Sequence, residues 1–295
     1  MLYKSGFISI VGCPNVGKST LMNAMIGQKV SIVSSKPQTT RNRIQGVLTQ
    51  KDRQIIFIDT PGIHNPKNRL GEYMMKEADR ALFEIDAILM LVDGKLGIKS
   101  RDREILDRLK KMNTPVVVVI NKIDLMERDA LAPMIASLQS EEWIDHIVPV
   151  SAHTGEGVQH LMELLFSYLQ EGVQYFPDDM ITDQPERLLI AEFLREKTLA
   201  HLHEEVPHGI GVDIDRMQEM ENGVMEIFAT IYCEKSSHKG IIIGKNGSML
   251  KEISRGARKE MEFLLDQKVF LQVWVKVKEG WRNSNNTMKM LGYEE

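Results

Sequence analysis

The string Gly12-Cys13-Pro14-Asn15-Val16-Gly17-Lys18-Ser19 constrains this chain more than any other stretch. It follows the apolar run Phe7-Ile8-Ser9-Ile10-Val11 and opens the helix-like stretch Thr20–Met25, so a glycine-rich turn lies between a strand and a helix. Glycines let such a turn wrap an anion with several N–H groups aimed inward. The helix N-terminus adds partial positive charge, and Lys18 adds a full one at the terminal phosphates. The Ser19 hydroxyl is placed to ligate Mg²⁺. Alone, the string predicts a nucleoside triphosphate and leaves the base open.

Three more motifs bear on the base. Gln54–Ile58 reads as a buried strand that ends in Asp59-Thr60-Pro61-Gly62, followed by Ile63. A carboxylate there can hold the Mg²⁺ shell, and the Gly62 N–H can meet a γ-phosphate. The run Pro115–Ile120 is a strand of the parallel-sheet kind and delivers Asn121-Lys122-Ile123-Asp124. Asp124 can accept the N1–H and N2 amino protons of guanine, a pair that adenine does not offer. Lys122 can lay its stem over the ring, and Asn121 can brace the glycine-rich loop. His146–Val150 ends in Ser151-Ala152, where the Ala152 N–H can donate to guanine O6. All four motifs fall at the C-terminal ends of strands, where open α/β sheets bind ligands.

The organisation follows from the same pattern. From Phe7 to about Gly172, strands alternate with helical stretches such as Leu70–Phe83, Ser100–Met112 and Val158–Leu169, the first helix beginning near Val16. This predicts an α/β domain over residues 1–173 with a mostly parallel sheet. Residues 174–185, including Tyr175-Phe176-Pro177-Asp178 and Asp183-Gln184-Pro185, carry turn chemistry and read as a linker. Residues 186–295 then read helix, strand, strand, helix, turn, helix, strand. Leu189, Ile190, Phe193 and Leu194 mark the buried face of the first helix. Leu250, Ile253, Ala257, Met261 and Leu264 mark that of the last long one.

At 295 residues the chain has material for two cores. Its apolar runs are too short to span a bilayer, and the first strand starts too early to leave room for a signal peptide. Cys13 and Cys233, one in each half, predict neither a disulfide framework nor a zinc site, which fits a reducing compartment. A net charge of −4 gives no global sign of a nucleic-acid partner, so any such surface is local.

A local one is present. Between Lys235 and Lys259 the cations are Lys235, Lys239, Lys245, Lys251, Arg255, Arg258 and Lys259, opposed by Glu252 alone. Lys276, Lys278, Arg282 and Lys289 follow, whereas residues 178–234 are rich in acid, with Asp213, Asp215, Glu219 and Glu221 among them. Charge segregated around Gly244-Lys245-Asn246-Gly247 reads as a phosphate-tracking groove. Lys239, Lys245, Asn246, Lys251, Arg255 and Arg258 are its expected contacts. Trp281 and Trp274 offer faces for base stacking, though an alternating strand makes Trp274 the better core residue. The acidic segment offers a cover for the basic groove in one nucleotide state.

The four nucleotide motifs resemble those of the translation-factor-related GTPases. The segment His238–Ser248 resembles the clamp of a type II KH domain, a module that holds about four nucleotides of single strand. Val275–Arg282 with Leu291-Gly292-Tyr293 resembles the C-terminus of the Era family, and the resemblance spans nearly the whole chain. It implies a GTP/GDP switch, RNA at the 3′ end of 16S rRNA, and a role in processing that RNA and building the 30S subunit. It further implies a monomer in the cytoplasm with loose contact to the inner membrane.

Two alternatives stay open: an RNA-binding module with a structural nucleotide site, or a GTPase of tRNA modification. The ending Gly292-Tyr293-Glu294-Glu295 lacks the terminal cysteine motif that the latter would carry.

The resemblance also implies site roles. Lys18, Asn15 and Gly62 face the reacting phosphates; the asparagine equivalent to Asn15 helps hold a potassium ion in related GTPases, and a purely structural cap of the loop is the alternative role for it. Switch I falls in residues 31–43, where Thr39 or Thr40 joins Ser19 and Asp59 on Mg²⁺. Small signalling GTPases carry a water-orienting glutamine where this chain has Ile63. His64 beside it reads as a switch-loop residue without a catalytic role.

Overall fold

A computed structural model describes residues 2–36, 38–127 and 129–293. Met1, Pro37 of the expected switch loop, and Glu294 and Glu295 of the chain ending lie outside the described residues. By contacts the chain divides into two units. One takes in residues 1–31, 40–65 and 74–183, and the other takes in 32–39, 66–73 and 184–295. The linker segment 174–183 belongs to the first, and the short segments 32–39 and 66–73 belong to the second.

The first unit runs β1 (Lys4–Gly12), α1 (Lys18–Ile26), β2 (Ile44–Gln50), β3 (Arg53–Asp59) and α2 (Arg69–Arg80), whose first turn lies in the other unit. It continues with β4 (Ala87–Asp93), α3 (Ser100–Leu109), β5 (Val116–Asn121), α4 (Leu131–Gln139), β6 (His146–Pro149), α5 (Val158–Ser167) and β7 (Gln170–Glu171). Its described strands form one sheet in the order β2-β3-β1-β4-β5-β6, with β7 paired to β1. From β3 to β6 the neighbours are parallel, while β2 runs antiparallel to β3 and β7 antiparallel to β1.

Such a sheet must be covered on both faces, and strand alternation provides the cover. Ile8, Ile10, Leu89, Leu91, Val117 and Val119 face α1 and α5 in one core cluster. Val11, Ile88, Met90, Val92, Val116, Val118 and Ile120 join residues of α3 and α4 in another. The helices end two or three residues earlier than their apolar period implies, because the residues that follow close tighter turns, with N–H groups donating to carbonyls three residues back. The first helix starts at Lys18 rather than Val16, since Gly17 is left-handed at φ 99°.

The second unit contains α6 (Glu186–Ala200), β8 (Gly211–Glu219), β9 (Met225–Cys233), α7 (Ser236–Ile243), α8 (Ser248–Leu265), β10 (Val269–Val277) and α9 (Asn285–Met290). Its described sheet runs β10-β9-β8, parallel then antiparallel. The cluster beneath it gathers Ile190, Phe193 and Leu194 of α6, Ile253, Ala257 and Met261 of α8, and the inward residues of the strands. Leu250 and Leu264 only flank that cluster, being partly buried. Ile32, from the loop segment 32–39, is buried in it as well.

The two tryptophans exchange their expected places. Trp274 is 39 % exposed on β10 and meets Phe228 edge-to-face at 5.5 Å. Trp281 is fully buried, donates Nε1–H to the Gly209 carbonyl at 2.8 Å and stacks on Tyr293. Base stacking by Trp281 is therefore excluded by burial.

Candidate functional site

The glycine-rich loop leaves β1 and turns through Asn15 and Gly17, both at positive φ, before α1 begins. Lys18 is buried at the helix start, and its Nζ donates to the carbonyls of Gly12 and Cys13, each at 3.1 Å. Burial pushes the Lys18 ammonium down from its usual range, while the Asp59 carboxylate pulls it back up. A charge held this way gains from an anion laid in the loop. Burial, with Asp102 adding to it, drives the Cys13 thiol up to about 12, so Cys13 packs without acting as a nucleophile.

Four oxygens converge beneath Lys18. Ser19 Oγ donates to Asp59 Oδ2 at 2.6 Å and lies 2.9 Å from Thr40 Oγ1, which is 3.5 Å from the same carboxylate oxygen. Ser31 Oγ donates to Asp59 Oδ2 at 3.0 Å. The other oxygen, Asp59 Oδ1, is buried with no hydrogen-bond partner in the described structure. Burial also pushes the Asp59 carboxyl up, opposed by Lys18 and the three hydroxyls. An all-oxygen set with an unsatisfied buried carboxylate oxygen is the chemistry that a hard divalent cation such as Mg²⁺ takes.

Thr40, not Thr39, belongs to this set. The Thr39 hydroxyl donates to the Lys36 carbonyl at 2.6 Å. Ser31 was not among the sequence candidates, and Asn23, which accepts the Val30 and Ser31 N–H groups at 3.0 Å, holds it in place. Neither had a motif to signal it.

The Asp59–Gly62 motif packs directly on the loop. A Cβ on Gly62 would come within 2.8 Å of the Pro14 backbone, so only glycine brings this N–H there. Thr60 Oγ1 donates to the Ile10 carbonyl at 2.8 Å, anchoring the motif to β1. Pro61 is buried, and the Ile63 N–H donates to the Gly12 carbonyl at 3.3 Å. The Ile63 side chain packs against the core cluster of α3 and α4, so it offers no group to orient water. His64 Nδ1 lies 2.9 Å from the Gly62 carbonyl.

The base end is assembled by hydrogen bonds. Asn121 Nδ2 donates to the Val16 carbonyl at 2.8 Å, bracing the loop as expected. The Ala152 N–H, expected at guanine O6, donates to Asn121 Oδ1 at 3.0 Å. Lys122 Nζ donates to the Asn15 carbonyl at 2.7 Å and to Asp93 Oδ2 at 2.6 Å, which stretches its stem across the site. Ser151 Oγ donates to Asp124 Oδ1 at 2.6 Å. Asp93, at the end of β4, was missed, although a carboxylate closing an all-apolar strand was a signal in the sequence.

In the second unit, the Gly244–Gly247 turn joins α7 to α8 with Gly244, Asn246 and Gly247 all at positive φ. A Cβ on Gly244 would meet Met249 Cβ at 2.6 Å, so packing as well as conformation demands this glycine. Lys239, Lys245, Asn246, Lys251, Arg255 and Arg258 are exposed. Lys251, Ser254, Arg255 and Arg258 line a cleft of about 340 Å³ with Leu271 of β10. Arg282 is withdrawn from the basic surface by Glu234 at 2.5 Å. Asp213, Asp215 and Glu219 lie on β8, at the far edge of the sheet from β10, so within this unit they do not cover the cleft.

Among the described residues, no helix is long and apolar enough to cross a membrane, and no three His, Cys, Asp or Glu gather as a metal site.

Fold and site together define a P-loop GTPase followed by a KH domain. Residues 7–122 match the family described as "50S ribosome-binding GTPase", and residues 205–282 match the KH domain family. The GTPase Era of Alkaliphilus metalliredigens is 53% identical over 295 residues, covering all of both chains. The GTPase Era of Ruminiclostridium cellulolyticum is 52% identical over 294 residues, covering 100% of this chain and 99% of that one.

Among solved structures, Era in complex with MgGDPNP and nucleotides 1506–1542 of 16S ribosomal RNA has a TM-score of 0.95 at 42% identity, over 99% of this chain and all of that one. An Aquifex aeolicus Era variant bound to GDP·AlF4⁻ has a TM-score of 0.95 at 43% identity with the same coverage. This chain belongs to the Era family of GTPases.

Proposed function

We propose that this protein is a GTP-hydrolysing switch whose KH unit binds 16S rRNA near its 3′ end during RNA processing and assembly of the 30S subunit. One observation carries the reading. A relative that matches over essentially the whole chain was solved with a GTP analogue, Mg²⁺ and that RNA segment, and this chain retains the oxygen donors and the clamp those ligands need.

In this reading Ser19, Thr40 and Asp59 hold Mg²⁺, which supplies charge to the β- and γ-phosphates when bound. Lys18 exchanges the carbonyls of Gly12 and Cys13 for phosphate oxygens. The Gly62 N–H meets the γ-phosphate, and Asp124 reads the guanine edge. Asn15 helps hold a potassium ion against the phosphates, the support being its place in the loop and its resemblance to related GTPases. With Ile63 where a water-orienting glutamine would stand, intrinsic hydrolysis is slow. Gly244–Gly247 holds the RNA backbone, and the Lys251–Arg258 face of α8 tracks its phosphates.

The protein works as a monomer in the cytoplasm with peripheral contact to the inner membrane; the family resemblance supports this, and fractionation of cell lysates tests it. Crosslinking the protein to RNA in cell extract and sequencing the bound fragments tests the whole proposal. Enrichment of the 16S 3′ end is expected, and enrichment of tRNA would replace it with a role in tRNA modification.

A further inference from the structure

Asp59 is fully buried, and its two carboxylate oxygens have unequal surroundings. Oδ2 accepts from Ser19 Oγ at 2.6 Å and from Ser31 Oγ at 3.0 Å, with Thr40 Oγ1 at 3.5 Å. Oδ1 is buried with no hydrogen-bond partner in the described structure. The last torsion of an aspartate is soft, so its two oxygens exchange places unless donors hold one of them. Ser19 and Thr40 stand in the donor set offered to a cation. Ser31 stands outside that set, and its hydroxyl goes to Oδ2.

One side chain places Ser31 there. Asn23 lies one turn after Ser19 on the same face of α1. Its Oδ1 accepts the Val30 and Ser31 N–H groups, each at 3.0 Å, and its Nδ2 donates to the Ser31 carbonyl at 2.7 Å. The chain turns back toward Asn23 through Gly27, left-handed at φ 80°, whose N–H donates to the Asn23 carbonyl at 2.9 Å. Val30 is buried in the core cluster that α1 shares with the sheet, and Ser31 is buried beside it. All of these residues belong to the first unit.

We infer that Ser31 and Asn23 are positioning residues for the metal: Asn23 clamps residues 30 and 31 to α1, and the Ser31 hydroxyl held there keeps Asp59 Oδ1 free for the cation. This holds only if Ser19, Thr40 and Asp59 are the Mg²⁺ donors, as proposed above. The clamp is made by protein groups alone, so Val30 and Ser31 keep their places when the γ-phosphate is lost. The fixed stem of the switch loop therefore extends through Ser31.

The experiment is Mn²⁺ binding to the full chain saturated with a non-hydrolysable GTP analogue, read by electron paramagnetic resonance, with Ser19→Ala as reference. Ser31→Ala removes the hydroxyl and is expected to weaken Mn²⁺ binding about tenfold, the worth of a bond to a charged group. Its GDP affinity in EDTA should stay at the wild-type value. Asn23→Ala should weaken Mn²⁺ binding by a similar factor. The double variant should lose no more than either single one, because both act through one hydroxyl.

Wild-type Mn²⁺ affinity in Ser31→Ala would overturn the inference. An equal loss of GDP affinity in EDTA would also overturn it, leaving Ser31 a packing residue of the loop. Additive losses in the double variant would overturn the part given to Asn23. Wild-type Mn²⁺ affinity in Ser19→Ala would instead overturn the metal assignment itself. Independently of any variant, the Val30 and Ser31 amides of the wild-type protein should be protected from hydrogen exchange with GDP and with the analogue alike. Fast exchange in either state would reject the clamp.

Discussion

Ser151 donates its hydroxyl to Asp124 Oδ1 at 2.6 Å, so a residue after β6 sets the orientation of a carboxylate presented after β5. That orientation is what a guanine-reading aspartate needs, because both oxygens must lie in the plane of the base. Asp124→Asn should weaken GTP binding by about 2–3 kcal/mol, the value of a bond to a charged group. The amide should in turn favour xanthosine nucleotide, whose second carbonyl replaces the amino group. Titration with fluorescent GTP and XTP checks this, and unchanged GTP affinity would remove Asp124 from the base site.

Asn15 sits in the loop at a positive φ of 66°, with its carbonyl engaged by Lys122. If its side chain helps hold potassium, hydrolysis should run faster in KCl than in NaCl at equal ionic strength. Asn15→Ala should erase the difference while GDP binding stays nearly intact. Equal wild-type rates in the two salts would leave Asn15 with a structural role only.

Lys245 and Asn246 project from the exposed clamp between α7 and α8. Replacing both with aspartate puts negative charge where RNA phosphate should run. RNA affinity should fall at least tenfold at fixed salt, with GTP hydrolysis and melting temperature hardly changed. A double mutant that still binds RNA normally would move the groove elsewhere.

Trp281 and Trp274 should separate stability from surface effects. Trp281→Ala removes a fully buried ring and its bond to Gly209, and should cost about 3–5 kcal/mol in denaturant unfolding. Trp274→Ala, at a site 39 % exposed, should cost far less. A mild Trp281→Ala would mean that the segment after β10 contributes little to the second unit.

The nucleotide motifs were legible because each is a short string at the end of a strongly apolar strand, and strand ends are where α/β sheets place ligands. Strand β2 was not: Ile44-Gln45-Gly46-Val47-Leu48-Thr49-Gln50 mixes polar and small residues in a way that alternation alone does not identify. Ser31 acts through Asp59, distant in sequence, and Asn23 through the Val30 and Ser31 amides of the following loop, contacts that no local pattern encodes.

The tryptophans were misplaced because alternation assigns faces within a strand but does not say which face a helix covers. Arg195 and Glu196, both buried on α6, belong to no motif in the sequence. Only the fold brings the Val33 amide to Glu196 and the Thr39 carbonyl to Arg195.

If the GTP switch and the RNA clamp of this chain are coupled, its affinity for the 3′ end of 16S rRNA depends on the bound nucleotide. An oligonucleotide of that 3′ end is titrated into the full chain with GDP, and again with a non-hydrolysable GTP analogue and Mg²⁺. Saturable binding is expected, tightened in the analogue state by about 1–3 kcal/mol, and RNA must then tighten the analogue's binding by the same factor. Identical affinities in the two states would mean that the site and the clamp share a chain without being coupled. No saturable binding in either state would mean that this RNA is not the ligand of the clamp.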